Sequence, residues 1–175
     1  MYVNLQLILV YYIYEMKFFI NFLLIFVLFS CGDKFSGVVI ENSKYNNYIE
    51  LIINSYENQD LSYLEKYLDN DVRSTYSTNV LFGKRSVLNT WADDYYFFKE
   101  IVMNEREIYT IFNNDKSFTT ILKGKWDAVG KFSGNKVSLP CYYKFIWKND
   151  KIVEFKGYFD NYPYYLETKE SYDEN

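Results

Sequence analysis

Apolar side chains recur every three or four residues in the first half of the chain and every second residue in the second half. The first spacing is typical of a helix with one buried face, and the second of a strand with one buried face. The helical spacing predicts three helices with these residues: Tyr48, Ile49, Ile52, Ile53 and Tyr56; Leu61, Leu64 and Leu68, capped by Asp60; and Val87, Leu88, Trp91 and Tyr95. Residues 72–77 predict a strand between the second and third helices.

The alternating spacing begins after residue 100 and predicts four strands, at 101–112, 118–129, 136–148 and 151–160. In the last strand, alternation predicts Val153, Phe155, Gly157 and Phe159 on the inner face. Short runs rich in Asn, Asp and Gly at 113–115, 133–135 and 149–150 predict hairpin turns. Helices followed by an antiparallel meander predict an α+β domain, with the helices covering one face of the sheet.

The N-terminal part of the chain has a different pattern. Residues 18–29 form an apolar run that follows Lys17 and is followed by Ser30 and Cys31. A membrane-spanning helix needs about 20 apolar residues, so this run is short for that purpose. A basic residue, a short apolar run and a small residue are typical of a signal peptide. We therefore expect residues 1–30 to be a signal peptide, with translation starting at Met16. The alternative is an uncleaved membrane anchor formed by residues 1–30.

The segment Leu28-Phe29-Ser30-Cys31 resembles the lipobox of bacterial lipoproteins, in which the cysteine is lipidated. The resemblance implies that the mature chain begins at Cys31, carries acyl chains such as palmitate, and is held to a membrane by them. Residues 31–43 would then be a lipidated tether. Gly32 stands where an Asp would imply retention at the inner membrane, so the resemblance implies an outer-membrane location in the cell envelope.

The amino-acid composition excludes several classes of function. The formal net charge is −4, and such an acidic chain lacks the basic surface that binds nucleic acid. The chain contains no histidine, which excludes histidine-based acid–base catalysis and removes the commonest transition-metal ligand, so no metal or cofactor is expected. Acylation of Cys31 would leave Cys141 without a partner for an intrachain disulfide, and we expect Cys141 to be a buried, unreactive thiol.

The order of the predicted elements, together with the last hairpin at 148–160, resembles the nuclear transport factor 2-like, or SnoaL-like, superfamily. In that hairpin a turn and Ile152 lead to Phe155, Lys156 and then Tyr-Phe-Asp at 158–160. The resemblance covers residues 44–168 and implies a cone-shaped fold, in which about three helices and a curved antiparallel sheet enclose a pocket. Residues 169–175 are expected to be a polar tail.

The resemblance also identifies positions for catalytic carboxylates. In epoxide hydrolases of the family an Asp directly precedes the Tyr-Phe-Asp element, whereas this chain has Gly157 there. Their Arg-x-Asp motif is similar to 125–127, but alternation places Lys125 and Asp127 on the outer face unless a bulge at Gly124 reverses the pattern. The isomerases of the family carry a base on the first strand, and residues 72–76 contain no carboxylate.

These observations favour a membrane-anchored, non-catalytic domain whose cone binds an apolar small molecule. A cone filled by its own side chains is the alternative. The expected walls of the pocket are Trp91, Trp126, Tyr143, Phe155 and Phe159.

Two other functions stay open at this point. An isomerase, hydrolase or dehydratase of the SnoaL-like kind would use Asp127 as base and Tyr76 or Tyr143 as donor, and it requires Asp127 to face the cavity. The second open function is that of an interaction module without a ligand, because the fold that the resemblance implies often forms a homodimer through its outer sheet face.

Overall fold

The computed structural model describes residues 37–76 and 79–173. Seven strands and four helices lie in this part of the chain. In chain order they are β1 Val38–Ile40, α1 Lys44–Glu57, α2 Ser62–Tyr67, β2 Leu68–Tyr76, β3 Asn79–Phe82, α3 Lys84–Phe97, β4 Phe98–Phe112, β5 Phe118–Gly130, β6 Lys136–Lys148, β7 Lys151–Phe159 and α4 Tyr162–Asp173. The signal peptide predicted at 1–30 and the lipidation predicted at Cys31 lie outside the described residues.

The strands form one sheet in the order β1-β4-β5-β6-β7-β2-β3. The meander β4 to β7 is antiparallel, as predicted, and the α+β cone is confirmed. One pairing departs from the prediction of an antiparallel sheet, because β2 runs parallel to β7. Parallel neighbours need a long crossover connection, and here the whole chain from β3 to β6 supplies it.

The sheet curves because β4 contains two bulges. Each bulge adds one residue to β4 opposite β5, between Lys99 and Val102 and between Asn104 and Glu107. Glu100 and Glu105 have positive φ angles of 56° and 53° within them. A bulge bends and twists its strand, so the two together turn the sheet around the helices. No such irregularity interrupts the pairing of β5 with β6, so the alternation predicted for β5 holds.

The helices bury their predicted apolar faces against the concave side of the sheet. Ile49, Ile52 and Ile53 of α1 are fully buried, and Val87 and Trp91 of α3 lie against the same core. The Ser43 hydroxyl caps α1 by accepting a hydrogen bond from the Tyr45 amide at 3.2 Å. Asp60, the predicted cap of α2, accepts from the Ser62 amide at 2.8 Å, although the N-cap position itself is occupied by Leu61.

Helix α1 is attached to the second bulge of β4 through Arg106. The guanidinium donates to Glu50 at 3.0 Å and to Asn54 at 2.6 Å, and it also pairs with Glu57. Glu57 in turn accepts from the amide of Met103 at 2.6 Å. The side chain of Arg106 is 19% exposed, so this ion pair is largely shielded from water. The contacts fix the helix against the bend of the sheet.

Several elements differ from the sequence predictions. Residues 38–40, expected within a tether, form edge strand β1, and residues 79–82 form edge strand β3. The polar tail expected at 169–175 belongs to α4 up to residue 173. Glu167 is 2% exposed and accepts from the Phe132 amide at 2.6 Å, so a charged side chain anchors this helix to the hairpin between β5 and β6.

The last strand also departs from strict alternation. A register shift between β6 and β7 lies next to Trp147, and it places Ile152 in the core where Val153 was predicted. Phe155 and Gly157 are buried as predicted.

Candidate ligand pocket

The cone is hollow. A cavity of about 340 Å³ lies between α1, α3, α4 and the sheet. Among the described residues, its walls contain seven aromatic side chains and two carboxylates, and no lysine or arginine. The lining residues are Ile53, Tyr56, Tyr76, Asn79, Leu81, Thr90, Trp91, Asp93, Asp94, Met103, Trp126, Leu139, Cys141, Tyr143, Phe159, Asn161 and Tyr164.

Four of the five predicted wall residues line this cavity, namely Trp91, Trp126, Tyr143 and Phe159. Phe155 does not line it, so that prediction is wrong. Its ring is fully buried behind the wall, with its centroid 5.4 Å from that of Tyr76 and 5.8 Å from that of Phe145. Phe155 does lie on the inner face of its strand, as predicted, but the rings of neighbouring residues separate it from the cavity.

Asp94 of α3 provides the main polar group of the cavity. Its Oδ2 accepts a hydrogen bond from the Tyr56 hydroxyl at 2.7 Å, and that hydroxyl accepts from Trp126 Nε1 at 3.1 Å. The three side chains come from α1, α3 and β5. No other hydrogen bond to the carboxylate of Asp94 is found in the described part of the chain, so Oδ1 remains available to a ligand.

Burial raises the pKa of Asp94 to about 7, and the neighbouring Asp93 charge adds to the effect. The hydrogen bond from Tyr56 acts in the opposite direction, because it stabilises the carboxylate. The same surroundings hold the pKa of the Tyr56 hydroxyl well above its ordinary value, chiefly by desolvation. Near neutral pH, Asp94 can therefore exchange a proton while Tyr56 stays a neutral donor.

Tyr76 and Tyr143, the two hydroxyl donors predicted from the sequence, both line the cavity. Tyr76 accepts a hydrogen bond from Trp91 Nε1 at 2.6 Å. Desolvation holds the pKa of both tyrosines above its ordinary value. Cys141 is a buried free thiol whose pKa burial raises to about 11, so it stays protonated.

Many solved structures share the fold, and the following three have distant sequences. A protein from Bacillus subtilis described as a candidate isomerase aligns with a TM-score of 0.59 and 13% identity, over 77% of this chain and 97% of that protein. A candidate SnoaL-like polyketide cyclase from Jannaschia sp. aligns with a TM-score of 0.58 and 12% identity, over 73% and 95%. An LEH-like epoxide hydrolase from M. tuberculosis aligns with a TM-score of 0.53 and 14% identity, over 73% and 91%.

The domain has the nuclear transport factor 2-like fold. No family sequence model matches the chain, and no curated protein sequence matches it either.

Within this nuclear transport factor 2-like domain, Asp127 points away from the cavity. It lies on the outer sheet face, where it accepts hydrogen bonds from Asn104 at 2.7 Å and from Ser138. Both hydrogen bonds lower the pKa of Asp127 from its ordinary value, and the bond from Ser138 has the larger effect. An ionised carboxylate facing solvent cannot reach a ligand inside the cone. The hypothesis of a base at Asp127 is therefore wrong, and the outward orientation that alternation predicted for Lys125 and Asp127 is confirmed.

At the position where the epoxide hydrolases carry an Asp, this chain has Gly157. The surrounding rings leave little room for a side chain there. A Cβ at this position would lie 2.8 Å from the Tyr143 ring and 3.1 Å from the Tyr76 ring. Distances that short are closer than ordinary van der Waals contact, so one ring would have to move. The two tyrosines fill the space that a side chain at residue 157 would need.

Sequence analysis missed Asp94 as a site residue. It lies three residues after Trp91, hence on the same face of α3 as the predicted apolar stripe. A carboxylate at that position was the available signal, because an unpaired charge is rarely placed on a buried face.

No helix within residues 37–76 and 79–173 is long and apolar enough to span a membrane. No group of three or more Cys, Asp or Glu side chains in that part of the chain is arranged to hold a metal ion.

Proposed function

We propose that this protein binds a small organic molecule inside the cone and holds the polar group of that molecule at Asp94. The main support for this proposal is the cavity, whose volume of about 340 Å³ lies in the range of ligand sites. Apolar walls with one directed polar group are typical of such sites.

The wall around Asp94 is fixed before any ligand enters. Tyr56 is held by one hydrogen bond to Asp94 and another from Trp126, and Trp91 is held by its bond to Tyr76. Tyr56 and Trp91 also pack edge to face, with ring centroids 5.1 Å apart. A wall restrained in this way loses little conformational entropy when it binds a ligand, which favours affinity.

The test is calorimetric titration of the full chain with water-soluble ring compounds, namely cyclohexanol, phenol and p-cresol. Leu139→Phe adds bulk to the cavity wall and should weaken binding at least tenfold. Leu166→Phe, on the exposed side of α4, is the matched control and should bind as the unaltered chain does. Absence of saturable binding by the unaltered chain, or equal affinity in Leu139→Phe, contradicts the proposal.

A second candidate function is acid–base catalysis by Asp94. The observation that favours it is the pKa of Asp94 near 7, close to the optimum for a group that both takes and gives a proton. The descriptions of the structural relatives as isomerase, polyketide cyclase and epoxide hydrolase support a catalytic use of this pocket. In this chain Asp94 would move the proton, and the Tyr76 hydroxyl would donate to the developing oxyanion.

Exchange of the α-protons of cyclohexanone with deuterated solvent tests this candidate, because it requires a base in the pocket and no knowledge of the natural substrate. Exchange faster than in buffer, with a midpoint near pH 7 and lost in Asp94→Asn, is the expected result. Equal exchange by the unaltered chain and Asp94→Asn would exclude Asp94 as the base.

We also propose that the domain is anchored in the cell envelope, at the outer membrane, through acyl chains on Cys31. The support is the order of Lys17, the apolar run 18–29, Ser30 and Cys31. Intact mass and membrane partition of the native protein should show a chain that begins at Cys31 with added acyl mass, both lost in Cys31→Ala. An unacylated chain that retains residues 1–30 would contradict lipidation and favour the uncleaved anchor.

A further inference from the structure

We infer that the ligand of the cone is a small alkylated ammonium ion, held among aromatic rings with Asp94 as its counter-ion. This inference rests on the binding function proposed above and specifies the class of ligand.

The charge of the cavity wall is the first argument. Asp93 and Asp94 line the cavity, and no basic side chain of the described residues lines it with them. A carboxylate removed from water is costly unless a positive charge compensates it. Since the wall supplies none, a cationic ligand is the partner that would relieve this cost. An anionic ligand would meet two carboxylates and no cation.

The aromatic rings are the second argument. A cation within about 6 Å of a ring centroid is attracted by the negative face of the ring. Both indole N–H groups in the wall are already used, because Trp91 donates to Tyr76 and Trp126 donates to Tyr56. The hydroxyl of Tyr56 donates to Asp94. The ring faces can therefore meet a cation, and the donors that remain, chiefly the hydroxyls of Tyr76 and Tyr143, are neutral and do not offset the charge of the two carboxylates.

The ammonium ion should be alkylated. A primary ammonium group needs three acceptors when it leaves water. Most of the cavity lining is aromatic or aliphatic, a surface that suits methyl groups around a single charge better than three N–H donors. Recognition of quaternary ammonium groups by aromatic cages uses the same physics.

Proton linkage gives this inference a measurable signature. The titratable groups that face Asp94 are Tyr56 of α1, Tyr76 of β2, Asp93 and Tyr95 of α3, Tyr143 of β6 and Tyr164 of α4. The tyrosines all have a pKa raised above the ordinary value and stay neutral between pH 6 and 8. Asp94, with a pKa of about 7, therefore controls the charge that the cation meets, and affinity should rise with pH.

The test compares choline with 3,3-dimethylbutan-1-ol, which has the same shape and hydroxyl group and a carbon in place of the charged nitrogen. Calorimetric titration of the full chain at pH 8 should give at least a tenfold preference for choline. At pH 6 the affinity for choline should fall roughly tenfold, because the ionised fraction of Asp94 falls by that factor, while the affinity for the uncharged alcohol should change much less.

Asp94→Asn should abolish the preference for choline over the alcohol. Asp71→Asn removes an exposed carboxylate outside the cavity lining and should retain the preference, which controls for net charge. Because the pair of probes is compared on the unaltered chain, the test does not depend on either variant folding.

Equal or tighter binding of the alcohol overturns the ammonium inference and leaves the ligand-binding function standing. Absence of saturable choline binding overturns the inference as well. The titration with ring compounds then decides separately whether the cavity binds neutral molecules.

Discussion

Asp94→Asn should remove a pH dependence of folding stability that the unaltered chain possesses. Burial holds the pKa of Asp94 at about 7 in the folded protein, against a reference value of 3.8. The folded state therefore binds this proton more tightly than the unfolded chain does. The stability from this group is complete below pH 3.8 and is lost as the pH rises through 7.

The size of the effect follows from the two pKa values. Each pH unit between them costs about 1.4 kcal/mol of unfolding free energy, and the whole interval about 4 kcal/mol. Between pH 5 and pH 8 the loss through this one carboxyl is about 2.5 kcal/mol. An asparagine carries no proton to release, so the variant should not show this part of the dependence.

Urea denaturation at pH 5, 6, 7 and 8 measures the effect. The free energy of unfolding of Asp94→Asn, relative to the unaltered chain, should rise by about 2.5 kcal/mol from pH 5 to pH 8. Any cost of the substitution itself shifts the difference equally at each pH. Asp71→Asn, an exposed position outside the cavity lining, is the matched control, and it should retain the slope because Asp94 and its surroundings are unchanged. Parallel stability curves for Asp94→Asn and the unaltered chain would refute the reasoning.

Three further substitutions test the Asp94 hydrogen bond, the Arg106 ion pair and the packing of the cavity wall. Tyr56→Phe should raise the pKa of Asp94 further, because it removes a hydrogen bond that stabilises the carboxylate, and carboxyl NMR titration measures this. Arg106→Met should destabilise the fold by about 3 kcal/mol, because it leaves Glu57 unpaired; urea denaturation that shows no loss would contradict the role of the pair. Gly157→Ala should push wall rings into the cavity and weaken ligand binding, which the ring-compound titration measures.

The sequence predicted the elements whose hydrophobic pattern is regular. β5 and β6 alternate without interruption along their shared pairing, so their faces could be assigned residue by residue. α4 escaped prediction because its anchor is Glu167, a charged residue whose partners lie in a distant hairpin. A polar side chain that is buried through a tertiary contact has no signature in local periodicity.

The candidate site was only partly predictable for the same reason. The aromatic walls could be inferred because large apolar residues on inner faces must meet somewhere inside the cone. The pairing of Asp94 with Tyr56 joins residues 38 positions apart on two helices, and their mutual distance depends on how those helices pack. Sequence spacing within one helix indicates its face and does not indicate the partner opposite.

The parallel pairing of β2 with β7 has a consequence for the order in which the domain can assemble. Arg73 pairs with Glu154 and Tyr76 with Gly157, so β2 near the start of the domain cannot complete its pairing until the last strand is present. Contacts between residues so far apart in the chain slow folding, because a long loop must close before they form. Tyr164 then completes the wall of the cavity. A nascent chain would thus have no binding site until α4 has been synthesised. Truncation after β6 would remove β7 and α4, and the remaining helices and strands could not enclose the cavity.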